Sequence, residues 1–246
     1  MKFHIYKNKE VLSESLATWI CEQIKETLAD QQFFTWVLSG GETPKLLFAQ
    51  LASEKFRDAI DWQRVQLFWG DERVVPEADD RNNAGTARRL FVDQTGIPSK
   101  QVHIMRTDIE PVFAAKEYDE LLHQFFGSTL FSFDLVLLGL GDDGHTLSLF
   151  PGSAVINKDD DQWVSAVYNE AQQMYRITLL PKIVNPAARI AFMVEGDKKA
   201  AVVKRVIEGK YQPHELPAQL IQPLNGDLLW FLDEAAAREL KVFKPE

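Results

Sequence analysis

Short apolar runs that alternate with amphipathic stretches constrain this chain more than any other feature. Runs rich in Val, Ile, Leu and Phe at Phe33–Leu38, Val65–Trp69, Phe133–Leu138, Ile177–Leu180, Arg189–Val194 and Leu228–Leu232 read as strands. Several are apolar on both faces, the pattern of strands covered from both sides in a parallel sheet. Between them, Leu12, Leu16, Ile20, Ile24 and Leu28 recur every fourth residue, and Leu46, Leu47 and Leu51 follow Pro44 in the same way. Phe113 to Phe126 and Ala200 to Ile207 also read as helices. Strands alternating with helices predict an α/β fold with a mostly parallel sheet. No linker, repeat or low-complexity tract divides the 246 residues, so residues 1–246 read as one compact domain. Asp159–Asp161 reads as a solvated acidic turn.

Composition narrows the function classes. Ordinary apolar and charged shares exclude a disordered chain, a coiled coil and a collagen. The formal net charge of −9 argues against binding nucleic acid through bulk electrostatics. A few local donors can still hold one small phosphate. Cys21 is the only cysteine, which rules out an intramolecular disulfide and a cysteine-based zinc site. Met1–Glu10 lacks the apolar core of a signal peptide. The apolar run at Leu135–Leu138 with its flanks falls far short of the ~20 residues of a membrane span. A reducing cytoplasm is the expected location.

Ligands of open parallel sheets bind beyond the carboxyl ends of the strands, so the residues after each strand carry the functional information. Phe33–Leu38 runs into Ser39-Gly40-Gly41-Glu42-Thr43-Pro44, with Thr43 suited to a helix N-cap and Pro44 to the first helical position. Gly40 and Gly41 either cradle a phosphate with backbone N–H groups or merely tighten a strand–turn–helix. Glu42 has to point away from any phosphate held there. Val65–Trp69 runs into Gly70-Asp71-Glu72-Arg73. Arg73 could fork onto phosphate or carboxylate oxygens, Asp71 could bond substrate or fix a neighbouring loop, and Glu72 reads as half of an internal ion pair bracing the loop.

Phe133–Leu138 runs into Gly139-Leu140-Gly141-Asp142-Asp143-Gly144-His145-Thr146, a literal match to the dinucleotide fingerprint G-x-G-x-x-G. Asp142 and Asp143 would face the pyrophosphate, so the match reads as false. His145 is the better focus, because imidazole suits proton transfer near neutrality and Asp143 is close enough in sequence to orient it. Arg176 opens a strand. Lys198 and Lys199 open the helix after Arg189–Val194, against the helix dipole, and a bound anion would offset that. His4, His103, His123 and His214 have no motif around them, and their spacing suggests no metal site. Cys21 and the six tryptophans read as packing residues.

Ser39–Pro44, Phe68–Pro76, Asn83, Leu137–Gly152, Arg176–Leu179, Val194–Ala200 and Trp230–Asp233, in this order, resemble the 6-phosphogluconolactonase family. That family lies within the wider glucosamine-6-phosphate isomerase/6-phosphogluconolactonase superfamily. The resemblance spans roughly Phe33 to Asp233. It implies a Rossmann-like fold and hydrolysis of 6-phospho-D-glucono-1,5-lactone to 6-phosphogluconate, the second step of the pentose phosphate pathway, with no metal and no organic cofactor. By position, His145 matches the general base and Asp143 its partner. Gly40 and Gly41 match the phosphate loop. Arg73, Arg176 and one of Lys198 and Lys199 match the basic residues that hold the phosphate. The chain departs from the pattern at Glu42, where Ser or Thr is common, and after Asn82–Asn83, where an aromatic residue is missing, so Asn83 is assigned no contact.

The superfamily's other branch isomerises and deaminates amino-sugar phosphates. It carries a carboxylate shortly before the proline downstream of the histidine, where this chain has Phe150 before Pro151. It also has Asp-Glu followed by an aromatic, where this chain has Asp71-Glu72-Arg73. Both differences favour the lactonase. A third reading is a non-catalytic sugar-phosphate sensor, which would usually carry an attached DNA-binding domain for which this chain has no spare length. No G-x-S-x-G elbow is present and Ser148 lacks a nucleophile context, so water activated by His145 is expected rather than an acyl-enzyme.

Overall fold

Strands without a polar face must be covered on both sides, and the chain builds that arrangement. The structure is a computed structural model and describes residues 1–127, 131–157 and 161–242. Its strands are β1 (Lys2–Tyr6), β2 (Phe34–Leu38), β3 (Val65–Trp69), β4 (Asp71–Arg73), β5 (Val102–His103), β6 (Leu135–Leu138), β7 (Val164–Asn169), β8 (Met174–Leu179), β9 (Arg189–Val194) and β10 (Asp227–Asp233). The helices are α1 (Lys9–Asp30), α2 (Pro44–Ala52), α3 (Glu54–Arg57), α4 (Asn83–Leu90), α5 (Pro111–Phe126), α6 (Pro181–Val184), α7 (Ala200–Glu208) and α8 (Glu234–Ala237). Seven strands form one sheet in the order β1-β10-β9-β6-β2-β3-β5, and every neighbouring pair is parallel. The expected mostly parallel α/β fold is therefore what the chain adopts.

Alternation along the strands splits the interior into two cores. On β9, Ile190, Phe192 and Val194 face one core, with α5 and α7. Ala191 and Met193 face the other, with α1, α2 and α4. The fourfold spacing of Leu12, Leu16, Ile20 and Ile24 lays one stripe of α1 on that second core, each with almost no exposed surface. Burial of each such side chain is worth about 1.5–3 kcal/mol. Asn8 caps the helix by accepting from the Val11 N–H at 3.0 Å. Cys21 and all six tryptophans, among them Trp36, Trp69 and Trp230, pack in or against these cores.

Several expected boundaries shift. β2 starts at Phe34, β6 is confined to Leu135–Leu138, and α5 starts at Pro111. The run expected at Ile177–Leu180 belongs to β8, which begins at Met174 and lies in a separate antiparallel sheet of order β4-β8-β7. Arg176 therefore sits within a strand rather than opening one. Thr43 has helical dihedrals and makes no side-chain capping bond, so α2 starts on Pro44 without an N-cap contact. Asp159 and Asp160 lie outside the described residues, while exposed Asp161 pairs with Lys182 at 2.8 Å. No helix among the described residues is long and apolar enough to cross a membrane.

The strand order places the site. From β2 the chain moves outward to β3 and β5, whereas β6 lies on the other flank of β2 and leads to β9. Connections leave β2 and β6 in opposite directions, and such a switch point leaves a crevice at the carboxyl ends of the strands. The loops after β2 and β6 face each other across it.

Candidate active site

The turn after β6 is built to present one imidazole. Gly141 N–H donates to the His145 carbonyl at 2.8 Å and Gly144 N–H to the Gly141 carbonyl at 3.0 Å. Thr146 Oγ1 donates to the Gly139 carbonyl, also at 2.8 Å. Ala218 N–H, from the segment before β10, fastens the Gly144 carbonyl at 3.0 Å. A Cβ on Gly141 would sit 2.1 Å from His145 Nδ1, so only glycine lets the ring lie over this turn. No helix starts after these glycines, and the fingerprint-like spacing lacks the helix N-terminus that a pyrophosphate needs.

His145 Nδ1 lies 2.6 Å from Asp143 Oδ1, which also accepts the His145 backbone N–H at 3.0 Å. Burial pushes the Asp143 carboxyl up, but its hydrogen bonds and the charge of His145 outweigh that and leave it below the ordinary carboxylate value. An ionised Asp143 accepts the Nδ1 proton, which leaves the lone pair on Nε2. The Phe150 ring packs on the imidazole with centroids 4.8 Å apart and planes tilted by 52°.

The loops after β2 and β3 lock together through Asn83. Its Nδ2 donates to the Asp71 carbonyl at 2.8 Å. A Cβ on Gly40 would fall 1.9 Å from Asn83 Oδ1, so the close approach of the two loops requires glycine there. Glu72 is fully buried but forms no ion pair among the described residues. Its carboxylate accepts the backbone N–H groups of Arg73, Asn83 and Ala84, each at 2.7 Å. The expected internal ion pair is thus replaced by bonds to the start of α4, because three amides converge on the carboxylate there. Burial raises the Glu72 carboxyl to about 7, against the pull of those amides. Glu42 turns to the rim and pairs with Lys45 at 2.6 Å.

Asp71 accepts a hydrogen bond from buried Ser148 Oγ at 2.6 Å and lies 3.8 Å from Arg176 Nη1. Arg176 is buried, its Nη2 donates to Gln172 Oε1, and its Nε has no partner among the described residues. Burial in the cleft wall lowers this guanidinium to about 10, with Asp71 opposing. Arg73 Nη1 donates to the Arg81 carbonyl at 2.7 Å. Lys199 Nζ donates to the Leu140 carbonyl at 2.7 Å and lies 2.5 Å from Asp142 Oδ1.

These groups share one cleft of about 860 Å³. Gly40, Gly41, Asp71, Arg73, His145, Arg176, Lys198 and Lys199 all line it. Asp143 stands behind the imidazole and borders a neighbouring cavity beside Phe150 instead. A third cavity of about 460 Å³, between the end of α7 and β10, has no carboxylate, histidine, lysine or arginine in its wall. Sequence reasoning missed Gln172, Asn83, Ser148 and Glu195. Glu195 lines the cleft, where burial raises its carboxyl against the pull of Lys9. His4, His103, His123 and His214 lie outside the cleft wall, and the described residues contain no cluster of three or more histidine, cysteine or acidic side chains placed to hold a metal ion.

The family model described as glucosamine-6-phosphate isomerases/6-phosphogluconolactonase matches residues 7–230. The chain belongs to this family. Among its relatives, a 6-phosphogluconolactonase of Synechocystis is 36% identical over 238 residues, covering 95% of this chain and 96% of that protein. The 6-phosphogluconolactonase of Haemophilus influenzae is 36% identical over 203 residues, covering 82% and 86%. The solved 6-phosphogluconolactonase of Trypanosoma brucei superposes with a TM-score of 0.84 at 27% identity, over 97% of this chain and 98% of that one. A monomeric glucosamine-6-phosphate deaminase shares the fold, with a TM-score of 0.81 at 21% identity over 97% of this chain and all of that one.

Proposed function

We propose that this chain hydrolyses 6-phospho-D-glucono-1,5-lactone to 6-phosphogluconate, the second step of the pentose phosphate pathway, in the cytoplasm. The observation that carries this reading is the shared cleft. It sets an oriented imidazole across from a glycine turn and several cationic side chains. The relatives named above carry the same activity in their names.

The substrate is a cyclic ester with a remote phosphate. Gly40, Gly41, Arg73, Arg176 and the Lys198–Lys199 pair anchor that phosphate and fix the ring's orientation. Asp71 faces the sugar from the same wall. His145 Nε2 takes a proton from water as its oxygen bonds to the lactone carbonyl carbon. Asp143 stabilises the resulting imidazolium. Backbone N–H groups or a nearby cation stabilise the oxyanion. When the carbon–ring oxygen bond breaks, the imidazolium returns its proton to the departing oxygen, which becomes a hydroxyl. The new carboxylic acid then ionises and releases a proton to solvent. A well-placed base of this kind contributes about 10²–10⁴-fold.

Phe150 separates this reading from the amino-sugar branch. An apolar ring against His145 can neither move a proton nor polarise the imidazole. A pH-stat record with freshly made lactone tests the proposal. Acid release above the spontaneous rate supports it. Release of ammonia from glucosamine 6-phosphate, without lactone hydrolysis, overturns it, as does binding of a sugar phosphate with neither reaction.

A further inference from the structure

We propose that Asp142 is a built-in competitor for Lys199, and that it sets how tightly the cleft holds an anion. The inference rests on the reading that the substrate's phosphate engages Lys199. An ammonium has three protons to donate. One of those on Lys199 goes to the Leu140 carbonyl at 2.7 Å, and Asp142 Oδ1 sits 2.5 Å from the same nitrogen as its ion-pair partner. The lysine is thus largely committed before any ligand arrives.

The rest of the cleft makes this pairing consequential. Five carboxylate side chains line it against four cationic ones. Such a wall holds a phosphate only as well as its carboxylates are drawn off. Asp71 is held by Ser148, and Asp197 by Arg238 outside the cleft wall. Glu42 is held by Lys45, which is likewise outside that wall. Asp71 also lies 3.8 Å from Arg176, but Asp142 is the one of these in direct contact, at 2.5 Å, with a cation that the phosphate itself would use.

The pair is lopsided in exposure. The Lys199 side chain is 22% exposed and that of Asp142 73%. An arriving anion therefore displaces a carboxylate that returns to water at little cost. The Leu140 carbonyl keeps Lys199 in place when Asp142 leaves. Asp142 consequently does not position the lysine; it occupies it. Neutralising Asp142 removes the competitor and leaves the ammonium where it is. The acid product carries one more negative charge than the lactone, so Asp142 disfavours product more than substrate.

The test uses inorganic phosphate as the probe, measured by calorimetry and as a competitive inhibitor of lactone hydrolysis, with Asp142→Asn, Asp142→Ser and Lys199→Met. Both Asp142 variants are expected to bind phosphate on the order of two- to fivefold more tightly than the parent. The gain should vanish when Lys199→Met is added, and inhibition by 6-phosphogluconate should strengthen at least as much. Unchanged or weaker phosphate binding in both Asp142 variants, with binding weakened by Lys199→Met, overturns the competitor role and leaves the anchoring role of Lys199 standing. Unchanged binding in Lys199→Met overturns the placement of the phosphate at Lys199 and the competitor role with it.

Discussion

His145 gives one ring nitrogen to Asp143 and keeps the other for the cleft, so its removal should strike turnover rather than binding. His145→Ala is expected to lower kcat by about 10²–10⁴-fold with KM little changed, as read by steady-state kinetics on fresh lactone. Arg176→Ala should do the reverse and raise KM by roughly tenfold or more, the worth of a lost charge-assisted bond. A kcat loss without a KM change in Arg176→Ala would move that residue out of the phosphate anchor. His145, Asp143 and the two glycines after β2 were legible in the sequence because each directly follows an apolar run. Gln172, Asn83 and Ser148 were not legible. Asn83 acts through Asp71, 12 residues away, and Ser148 acts on the same Asp71 across 77 residues, so neither contact leaves a local pattern.

At the scale of elements, Glu72 joins β4 to the start of α4 through three amides. Removing the carboxylate leaves those N–H groups buried without acceptors, and Glu72→Ala should cost on the order of 1–3 kcal/mol in denaturant unfolding. The pH dependence has a definite sign. Folding raises this carboxyl from 4.5 to about 7, so the folded chain binds the proton more tightly than the unfolded one. The resulting stability is fully present below about pH 4.5 and is lost as pH rises through about 7. The unfolding free energy of the parent should therefore fall across that window relative to Glu72→Gln, and equal slopes would contradict the raised value. Gly40→Ala should destabilise the paired loops by about 1–3 kcal/mol, because its Cβ overlaps the Asn83 side chain. Hydrophobic period revealed the long helices and central strands. It could not reveal β4, which is three charged residues, or α4, whose sequence is mostly polar or small. Nor could it show that β8 runs antiparallel in a second sheet, since an apolar run reads alike in either setting.

At the scale of the whole molecule, the switch between β2 and β6 turns sequence order into the candidate cleft. Residues from 39 to 199 meet there because the loops after β2, β6 and β9 leave the same edge of the parallel sheet, while β4 and β8 of the second sheet bring Asp71, Arg73 and Arg176 to the same cleft. Parallel order, two-sided burial and the gathering of the candidate residues beyond the strand ends were all readable from the alternation of apolar runs. The strand order was not, because crossovers leave no mark in the sequence. Central β2, β6 and β9, covered on both faces, should exchange backbone hydrogens only with global unfolding. The edge strands β1 and β5 should exchange sooner, and uniform protection across the sheet would contradict that layering.

The most direct measurement is the acid released from fresh 6-phospho-D-glucono-1,5-lactone by the parent chain and by His145→Ala, recorded side by side at constant pH. Release well above the spontaneous rate for the parent, falling at least a hundredfold in enzymatic rate for the variant, is expected. Equal rates for the two would show that the imidazole at the mouth of the β2–β6 crevice is not the base.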